Sequence, residues 1–228
     1  MPALLQGVPL SAAIVDLDGT MVDTLGDFLA ALRGMLRELG LGDVTPEQVA
    51  QRVGKGSEHL IAQVLLLHLP PAQADALHPR ALALYQEQYA RINGSHANVF
   101  PGVAQGLQRL REAGLRLACV TNKPGVHARE LLARKNLLGY FSEVAGGDTF
   151  ARKKPDPLPL LRTCDALGVA PARTLMIGDS QNDAAAAEAA GCPAARATYG
   201  YNHGEPIQAS RALVFFDRLD ELPLQPGA

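Results

Sequence analysis

The stretch Ala12-Ala13-Ile14-Val15-Asp16-Leu17-Asp18-Gly19-Thr20 decides both the fold class and the chemistry of this chain. Its apolar part predicts a buried strand over residues 12–17, because parallel strands covered on both faces are nearly continuously apolar. Side chains alternate along a strand, so Asp16 and Asp18 lie on one side of its end and Leu17 lies opposite. In open α/β sheets this carboxyl edge is where ligands bind.

The same pattern of short apolar runs continues along the rest of the chain. Further strands are predicted at residues 115–120, 174–177, 194–197 and 212–216. Helical spacing of apolar residues lies between them, at residues 103–113, 126–138, 157–167 and 182–190. Strands that alternate with helices predict an α/β fold with a Rossmann-like parallel sheet and helices on both faces, in three layers.

One long segment breaks this alternation. The 228 residues correspond to about one and a half typical domains, and residues 25–98 carry helical patterns with no convincing strand. We therefore predict an inserted α-helical cap domain at residues 23–96. The α/β core is then discontinuous and comprises residues 1–22 and 97–228.

The composition excludes several classes of protein. Hydrophobic residues make up 47% and charged residues 19%, which favours a packed chain over a disordered one. The formal net charge of −2 offers no general attraction for nucleic acid or for an anionic membrane. Three cysteines without a CxxC pair, no apolar span of about 18 residues and no signal-like start predict a cytoplasmic protein. Monomer and homodimer both remain open.

The acidic pair after the first strand is the first candidate site. Two carboxylates as close as those of Asp16 and Asp18 repel each other unless a cation compensates. Magnesium is a natural compensator, because carboxylates, waters and substrate phosphate are its usual ligands. Gly19 permits a sharp turn beside the bound group. The alternative is an acidic turn on the surface.

Two polar segments at other strand ends suit a phosphate. The hydroxyl of Thr121 and the amide of Asn122 follow the strand at 115–120 and are able to donate hydrogen bonds to phosphate oxygens. Lys154 is restrained by Pro155 and offers a fixed positive charge. Taken alone, the first segment fits an ordinary turn or helix cap, and the second fits a solvated helix entrance.

The segment Gly178-Asp179-Ser180-Gln181-Asn182-Asp183 is the fourth candidate. Asp179 ends a predicted strand at the same sheet edge as Asp16. Asp183 lies on the opening turn of the next helix, where an acidic residue also serves as a cap or complements the helix dipole. Acids at two strand ends and phosphate donors at two other positions make coincidence a poor explanation.

Together these segments resemble the four ordered motifs of the haloacid dehalogenase-like phosphatases, over nearly the whole chain. The motifs are DLDGT at 16–20, Thr121-Asn122, Lys154 in KKPDP, and GDSQND at 178–183. FPGV at 100–103 and TYGYNHG at 198–204 resemble bacterial phosphoglycolate phosphatases. The resemblance implies magnesium-dependent hydrolysis of the small metabolite 2-phosphoglycolate. A sugar-phosphate phosphatase, a phosphomutase and an inactive binding module are the alternatives.

The resemblance also implies residue roles. Asp16 is expected to attack phosphorus and become an aspartyl phosphate, and Asp18 to act as general acid and then base. Magnesium is expected on the carboxylate of Asp16, the backbone carbonyl of Asp18 and the carboxylate of Asp179, with Asp183 orienting this set. The phosphoryl group is expected to bind to three further residues, Thr121, Asn122 and Lys154.

The cap offers one candidate for substrate recognition. Lys55 lies between Gly54 and Gly56, in a turn between two predicted helices, and the chain has only five lysines. We predict that Lys55 pairs with the glycolate carboxylate; the alternative is a solvent-exposed turn lysine. Arg33, on the first cap helix, is a second candidate with weaker support.

Overall fold

The computed structural model describes residues 3–202 and 212–225. In chain order its strands are β1 (Ala3–Leu5), β2 (Val8–Leu10), β3 (Ala12–Val15), β4 (Val22–Asp23), β5 (Asn98–Val99), β6 (Arg116–Val120), β7 (Glu143–Ala145), β8 (Thr174–Gly178), β9 (Ala194–Ala197), β10 (Val214–Phe216) and β11 (Leu224–Gln225). Its helices are α1 (Leu25–Glu38), α2 (Pro46–Ala50), α3 (Ser57–Leu65), α4 (Pro71–Ile92), α5 (Val103–Glu112), α6 (Gly125–Arg134), α7 (Leu158–Leu167) and α8 (Gln181–Ala190).

Six strands form the central parallel sheet, in the order β10-β9-β8-β3-β6-β7. The predicted α/β class is therefore confirmed. The edge strand β7 was not predicted, because three residues are too few to show a periodic pattern. The helix predicted over 126–138 is shorter than expected, since the chain turns at Asn136 with a φ of 57°.

The sheet is the middle of three layers. Along β3, Ala13 and Val15 face the hydrophobic cluster that contains α5 and α6. Ala12 and Ile14 face the opposite cluster, which contains α7 and α8. All four residues are fully buried, which is why the strand is apolar on both faces. The layers place β3 centrally, with β6 and β8 on either side.

Helices α1 to α4 pack around a separate hydrophobic cluster that includes Leu32, Leu36 and Tyr85. The chain enters this helical unit through β4 and leaves it through β5, and these two strands pair with each other. The buried carboxylate of Asp27 accepts hydrogen bonds from the backbone of Gly94 at 2.6 Å and of His96 at 2.7 Å. The two segments that connect the sheet domain to the helical unit therefore lie side by side. The exact domain boundaries at 22/23 and 96/97 stay predictions.

Within residues 3–202 and 212–225, no helix is both long and apolar enough to cross a membrane. Two residues of the TYGYNHG motif, His203 and Gly204, lie outside the described residues. A small antiparallel sheet in the order β11-β1-β2 joins the two ends of the described chain.

Candidate active site

The predicted site residues follow the carboxyl ends of neighbouring strands. Asp16 follows β3, Thr121 follows β6, and Asp179 follows β8. Because β3 lies between β6 and β8, these three residues meet at the middle of one sheet edge. Lys154 reaches the same place from the segment between β7 and α7.

Three carboxylates gather at this edge. Asp16, Asp179 and Asp183 each offer an oxygen, and these oxygens lie within 4.8 Å of one another. All three residues are buried. Three buried negative charges this close are unfavourable without a cation, and an all-oxygen donor set suits a hard divalent ion. The residues therefore fit a bound metal ion.

Lys154 supplies part of the compensating charge. Its ammonium donates to Asp16 Oδ1 at 2.9 Å, to Asp183 Oδ1 at 2.6 Å and to the Val120 carbonyl at 2.7 Å. Its side chain is only 2% exposed. The three N–H donors of the ammonium are therefore all engaged, and they hold both carboxylates in fixed positions.

Asp179 is held from several directions. Its carboxylate accepts hydrogen bonds from the Thr20 hydroxyl and from the Tyr201 backbone, both at 2.8 Å. Gly19 has a φ of +85°, and a Cβ atom there would lie 2.6 Å from an Asp179 oxygen. A Cβ at Gly200 would lie 2.1 Å from the Asp179 Cβ. Glycine at both positions lets the backbone pack directly against this carboxylate.

Asp183 combines the two roles that its sequence position left open. It caps α8, because its carboxylate accepts hydrogen bonds from the Ser180 backbone at 3.0 Å and the Ser180 hydroxyl at 2.8 Å. Its other oxygen accepts from Lys154. These hydrogen bonds at the start of α8 therefore fix the Asp183 side chain, which in turn holds Lys154 in place.

Burial and mutual repulsion separate the pKa values of the three acids. Burial, against the charge of Lys154, raises the pKa of Asp16 well above its usual value. Burial and the charge of Asp183 raise the pKa of Asp179 to about 6. Burial opposes the ionisation of Asp183, but Lys154 and the Ser180 hydrogen bonds outweigh it and lower its pKa. Two of the three acids therefore lack full compensation by the protein.

Asn122 connects three segments of the site, and its predicted role in phosphate binding stays a prediction. Its side-chain amide donates to the Lys154 carbonyl at 2.8 Å and to the Gly54 carbonyl at 3.0 Å. The amide thus ties the cap turn and the lysine segment to the sheet edge. Thr121 accepts from the Lys123 backbone N–H at 3.2 Å, and its hydroxyl proton is still able to bind a phosphate oxygen.

A cavity lies between this sheet edge and the cap, with a volume of about 50 Å³. The core contributes Asp16, Asp18 and Lys123 to its lining, and the cap contributes aromatic residues including Phe28 and Tyr89. The Lys123 ammonium lies 2.9 Å from Asp18 Oδ1. No role was predicted for Lys123, although it directly follows Thr121-Asn122 and is one of only five lysines.

Comparisons with known proteins identify the family of this chain. The family model described as haloacid dehalogenase-like hydrolase matches residues 13–197. A phosphoglycolate phosphatase of Thiobacillus denitrificans is 42% identical over 200 residues, which cover 88% of each chain. One of Vibrio vulnificus is 39% identical over 209 residues, 91% of this chain and 92% of the relative. The chain belongs to the phosphoglycolate phosphatase family of haloacid dehalogenase-like hydrolases.

A solved structure supports the same family assignment. A protein from Haemophilus somnus, described as a predicted phosphoglycolate phosphatase, superposes with a TM-score of 0.87 at 30% identity. The match covers 93% of this chain and 96% of that one. The resemblance that the four motifs indicated is thus confirmed, and it includes the helical insertion as well as the sheet.

Neither of the two candidates for substrate recognition, Lys55 and Arg33, is among the described residues that line the cavity. Lys55 is exposed and is not among the described residues that line it, although Gly54 and Gly56 are. Arg33 pairs with Asp43 at 2.9 Å on the cap surface, with 42% of its side chain exposed. The role of Lys55 stays a prediction, and the position of Arg33 gives that residue no support.

The raised pKa of Asp179 predicts a pH-dependent stability for the metal-free phosphatase. The folded state holds this proton up to about pH 6, against a usual pKa of 3.8. Because the folded state binds this proton more tightly than the unfolded state does, protonation of Asp179 stabilises the fold at low pH. This stabilisation is lost as the pH rises through about 6. We expect the free energy of unfolding to fall by about 2 kcal/mol between about pH 4 and pH 7.

Denaturant unfolding in the presence of a chelator measures this effect. Asp179→Asn is the matched variant, because it removes the titrating group and leaves all other groups in place. The difference in pH slope between wild type and variant isolates Asp179, and equal slopes would contradict the prediction. Excess divalent metal should reduce the wild-type slope, since a bound cation favours the ionised acids.

Proposed function

We propose that this chain is a magnesium-dependent phosphatase that hydrolyses 2-phosphoglycolate to glycolate and phosphate. The observation that carries the proposal is the meeting of Asp16, Asp179 and Asp183 with Lys154 at one sheet edge. The names and high coverage of the relatives support the substrate. A cytoplasmic location, a monomer or homodimer, and no nucleic-acid partner remain predictions.

The metal would be held by oxygen atoms of the acidic cluster. The carboxylates of Asp16 and Asp179 and the backbone carbonyl of Asp18 are the proposed protein ligands, and Asp183 orients them through Lys154. Magnesium suits such a set, because it takes one or two carboxylates and keeps waters or phosphate oxygens as its other ligands. When bound, it neutralises negative charge on the transferring phosphoryl group.

In the first half-reaction, Asp16 is the proposed nucleophile. Its carboxylate attacks phosphorus, the bond from phosphorus to the glycolate oxygen breaks, and an aspartyl phosphate forms. Asp18 gives its proton to the departing oxygen, so that glycolate leaves with a neutral hydroxyl group. Lys154 keeps the attacking carboxylate oriented through its 2.9 Å hydrogen bond.

In the second half-reaction, Asp18 acts as the base. It takes a proton from water, the resulting hydroxide attacks phosphorus, and the bond from phosphorus to Asp16 breaks. Phosphate leaves, and both aspartates return to their starting states. Thr121 is a proposed ligand of the phosphoryl oxygens, and Lys154 is proposed to stabilise their negative charge from its place beside Asp16.

A panel of phosphate esters tests the proposal. We expect purified protein with magnesium to show a kcat/KM for 2-phosphoglycolate at least about 10-fold above those for sugar phosphates, since one extra pocket contact is worth 1–3 kcal/mol. Removal of metal by a chelator should abolish phosphate release, and added magnesium should restore it. A sugar phosphate that ranked above 2-phosphoglycolate would overturn the substrate assignment, and an isomerised product without phosphate release would indicate a phosphomutase.

A further inference from the structure

Lys123 has an unusual environment at the boundary between core and cap. Its side chain is only 3% exposed. Its ammonium donates to both oxygens of Asp18, at 2.9 and 3.2 Å. The same nitrogen lies 4.7 Å from the ring centres of Phe28 and Tyr89, which belong to two different cap helices. The lysine is therefore a buried cation held at a fixed point of the cavity wall.

The charge of this ammonium is only partly matched. Among the described residues, Asp18 is its one anionic partner. The faces of Phe28 and Tyr89 stabilise a cation but provide no full hydrogen-bond acceptor. An ammonium carries three donors, and a buried charge is costly unless it is paired and fully hydrogen-bonded. The site therefore has capacity for a further anionic group.

The chemistry of the proposed substrate places such a group nearby. In 2-phosphoglycolate one methylene separates the carboxylate from the ester oxygen. Asp18 is the proposed acid that protonates this ester oxygen. A cation in direct contact with Asp18 is therefore in reach of the substrate carboxylate when the ester is in position for reaction.

The other cationic groups near the cavity are less suitable. Lys154 has its three donors committed to Asp16, Asp183 and the Val120 carbonyl. Burial, aided by the charge of Lys123, lowers the pKa of His127, so this residue is neutral at neutral pH. Of the described residues that line the cavity, none is an arginine, and Lys55 is not among them.

We propose that Lys123 binds the carboxylate of the substrate and determines the preference for 2-phosphoglycolate. Phe28 and Tyr89 keep its ammonium oriented between the leaving group and the cap. The inference rests on the proposed function, because it concerns the carboxylate of that substrate. It assigns to Lys123 the recognition role that the sequence suggested for Lys55.

The test compares 2-phosphoglycolate with ethyl phosphate, which has a leaving group of similar length without the carboxylate. For Lys123→Met, we expect kcat/KM for 2-phosphoglycolate to fall about 10- to 100-fold further than kcat/KM for ethyl phosphate, as for the loss of a charged hydrogen bond. Lys123→Arg retains the cation and should keep most of the preference. Lys55→Met tests the rival position with the same change of side chain.

Three outcomes would overturn the inference. Equal losses on both substrates would mean that Lys123 acts only by positioning Asp18. A selective loss in Lys55→Met with none in Lys123→Met would assign recognition to the cap turn. Wild-type protein with no preference for 2-phosphoglycolate over other esters would remove the proposed function, and the assignment to Lys123 with it.

A measurement on the wild-type protein avoids dependence on the folding of the variants. A crystal structure with magnesium, inorganic phosphate and glycolate should show the glycolate carboxylate within about 3.2 Å of the Lys123 nitrogen. A carboxylate bound elsewhere in the cavity or at Lys55 would contradict the proposal. Thermal unfolding of Lys123→Met and Lys123→Arg identifies any loss of activity that comes from unfolding.

Discussion

Replacement of Asp16 by asparagine is expected to lower the rate of phosphate release at least about 10⁴-fold, because the proposed nucleophile is lost. An amide is a far weaker nucleophile than a carboxylate, and no described residue at the site offers a carboxylate in the same place. Steady-state hydrolysis of 2-phosphoglycolate measures the loss. The fold should survive, since burial already favours an uncharged group at this position.

A matched control and a direct assay separate this role from a structural one. Asp75→Asn makes the same change at an exposed position on α4 and should leave the rate unchanged. Wild-type protein quenched in acid during turnover of phosphorus-labelled substrate should carry label on Asp16. Substantial residual activity in Asp16→Asn, or label on another residue, would refute the assignment.

The second large effect is expected for Lys154→Met. This change removes the ammonium that holds Asp16 and Asp183, so kcat/KM should fall about 10²- to 10³-fold, as for the loss of a preorganised electrostatic group. It also leaves two buried carboxylates without their cation, which typically costs about 3–5 kcal/mol of stability. Enzyme kinetics and denaturant unfolding measure the two effects.

The stabilisation that added magnesium gives to Lys154→Met distinguishes loss of the Lys154 charge from a general loss of packing. Without Lys154 the acidic cluster is more negative, so the variant should gain more stability from added magnesium than the wild type does. Lys153→Met is the adjacent control. Its ammonium is 3.8 Å from Glu58 and its side chain is 37% exposed, so the ion pair contributes little to stability. Equal effects of the two substitutions would contradict the role of Lys154.

The α/β class was predictable because its signals are local. A strand covered on both faces must be apolar throughout, and Ala12–Val15 shows this directly in the sequence. The positions of Asp16 and Asp179 follow from the same logic, since parallel strands end at one edge. The strand Glu143–Ala145 escaped prediction because its three residues include the exposed Glu143 and are too few to show a periodic pattern.

Individual side-chain partners were harder to predict. From the sequence, Asp183 was a candidate both for a helix cap and for the acidic site. In the structure one carboxylate oxygen caps α8 through Ser180, and the other accepts a hydrogen bond from Lys154. The sequence did not indicate that the Asn122 amide donates to the Gly54 and Lys154 carbonyls. Both results depend on which distant segments approach, and local spacing carries no such information.

The amino-acid sequence by itself determined the parallel sheet, the helical insertion and the approximate place of the acids, because strand and helix periodicity and chain order are local properties. Only the tertiary structure decided how the lysines are used. Lys55 and Lys123 look similar in the sequence, because each lies at a predicted turn and lysine is rare in this chain. Packing of the cap against the sheet buries Lys123 beside Asp18 and leaves Lys55 exposed, and a buried positive charge requires an anionic partner far more than an exposed one does.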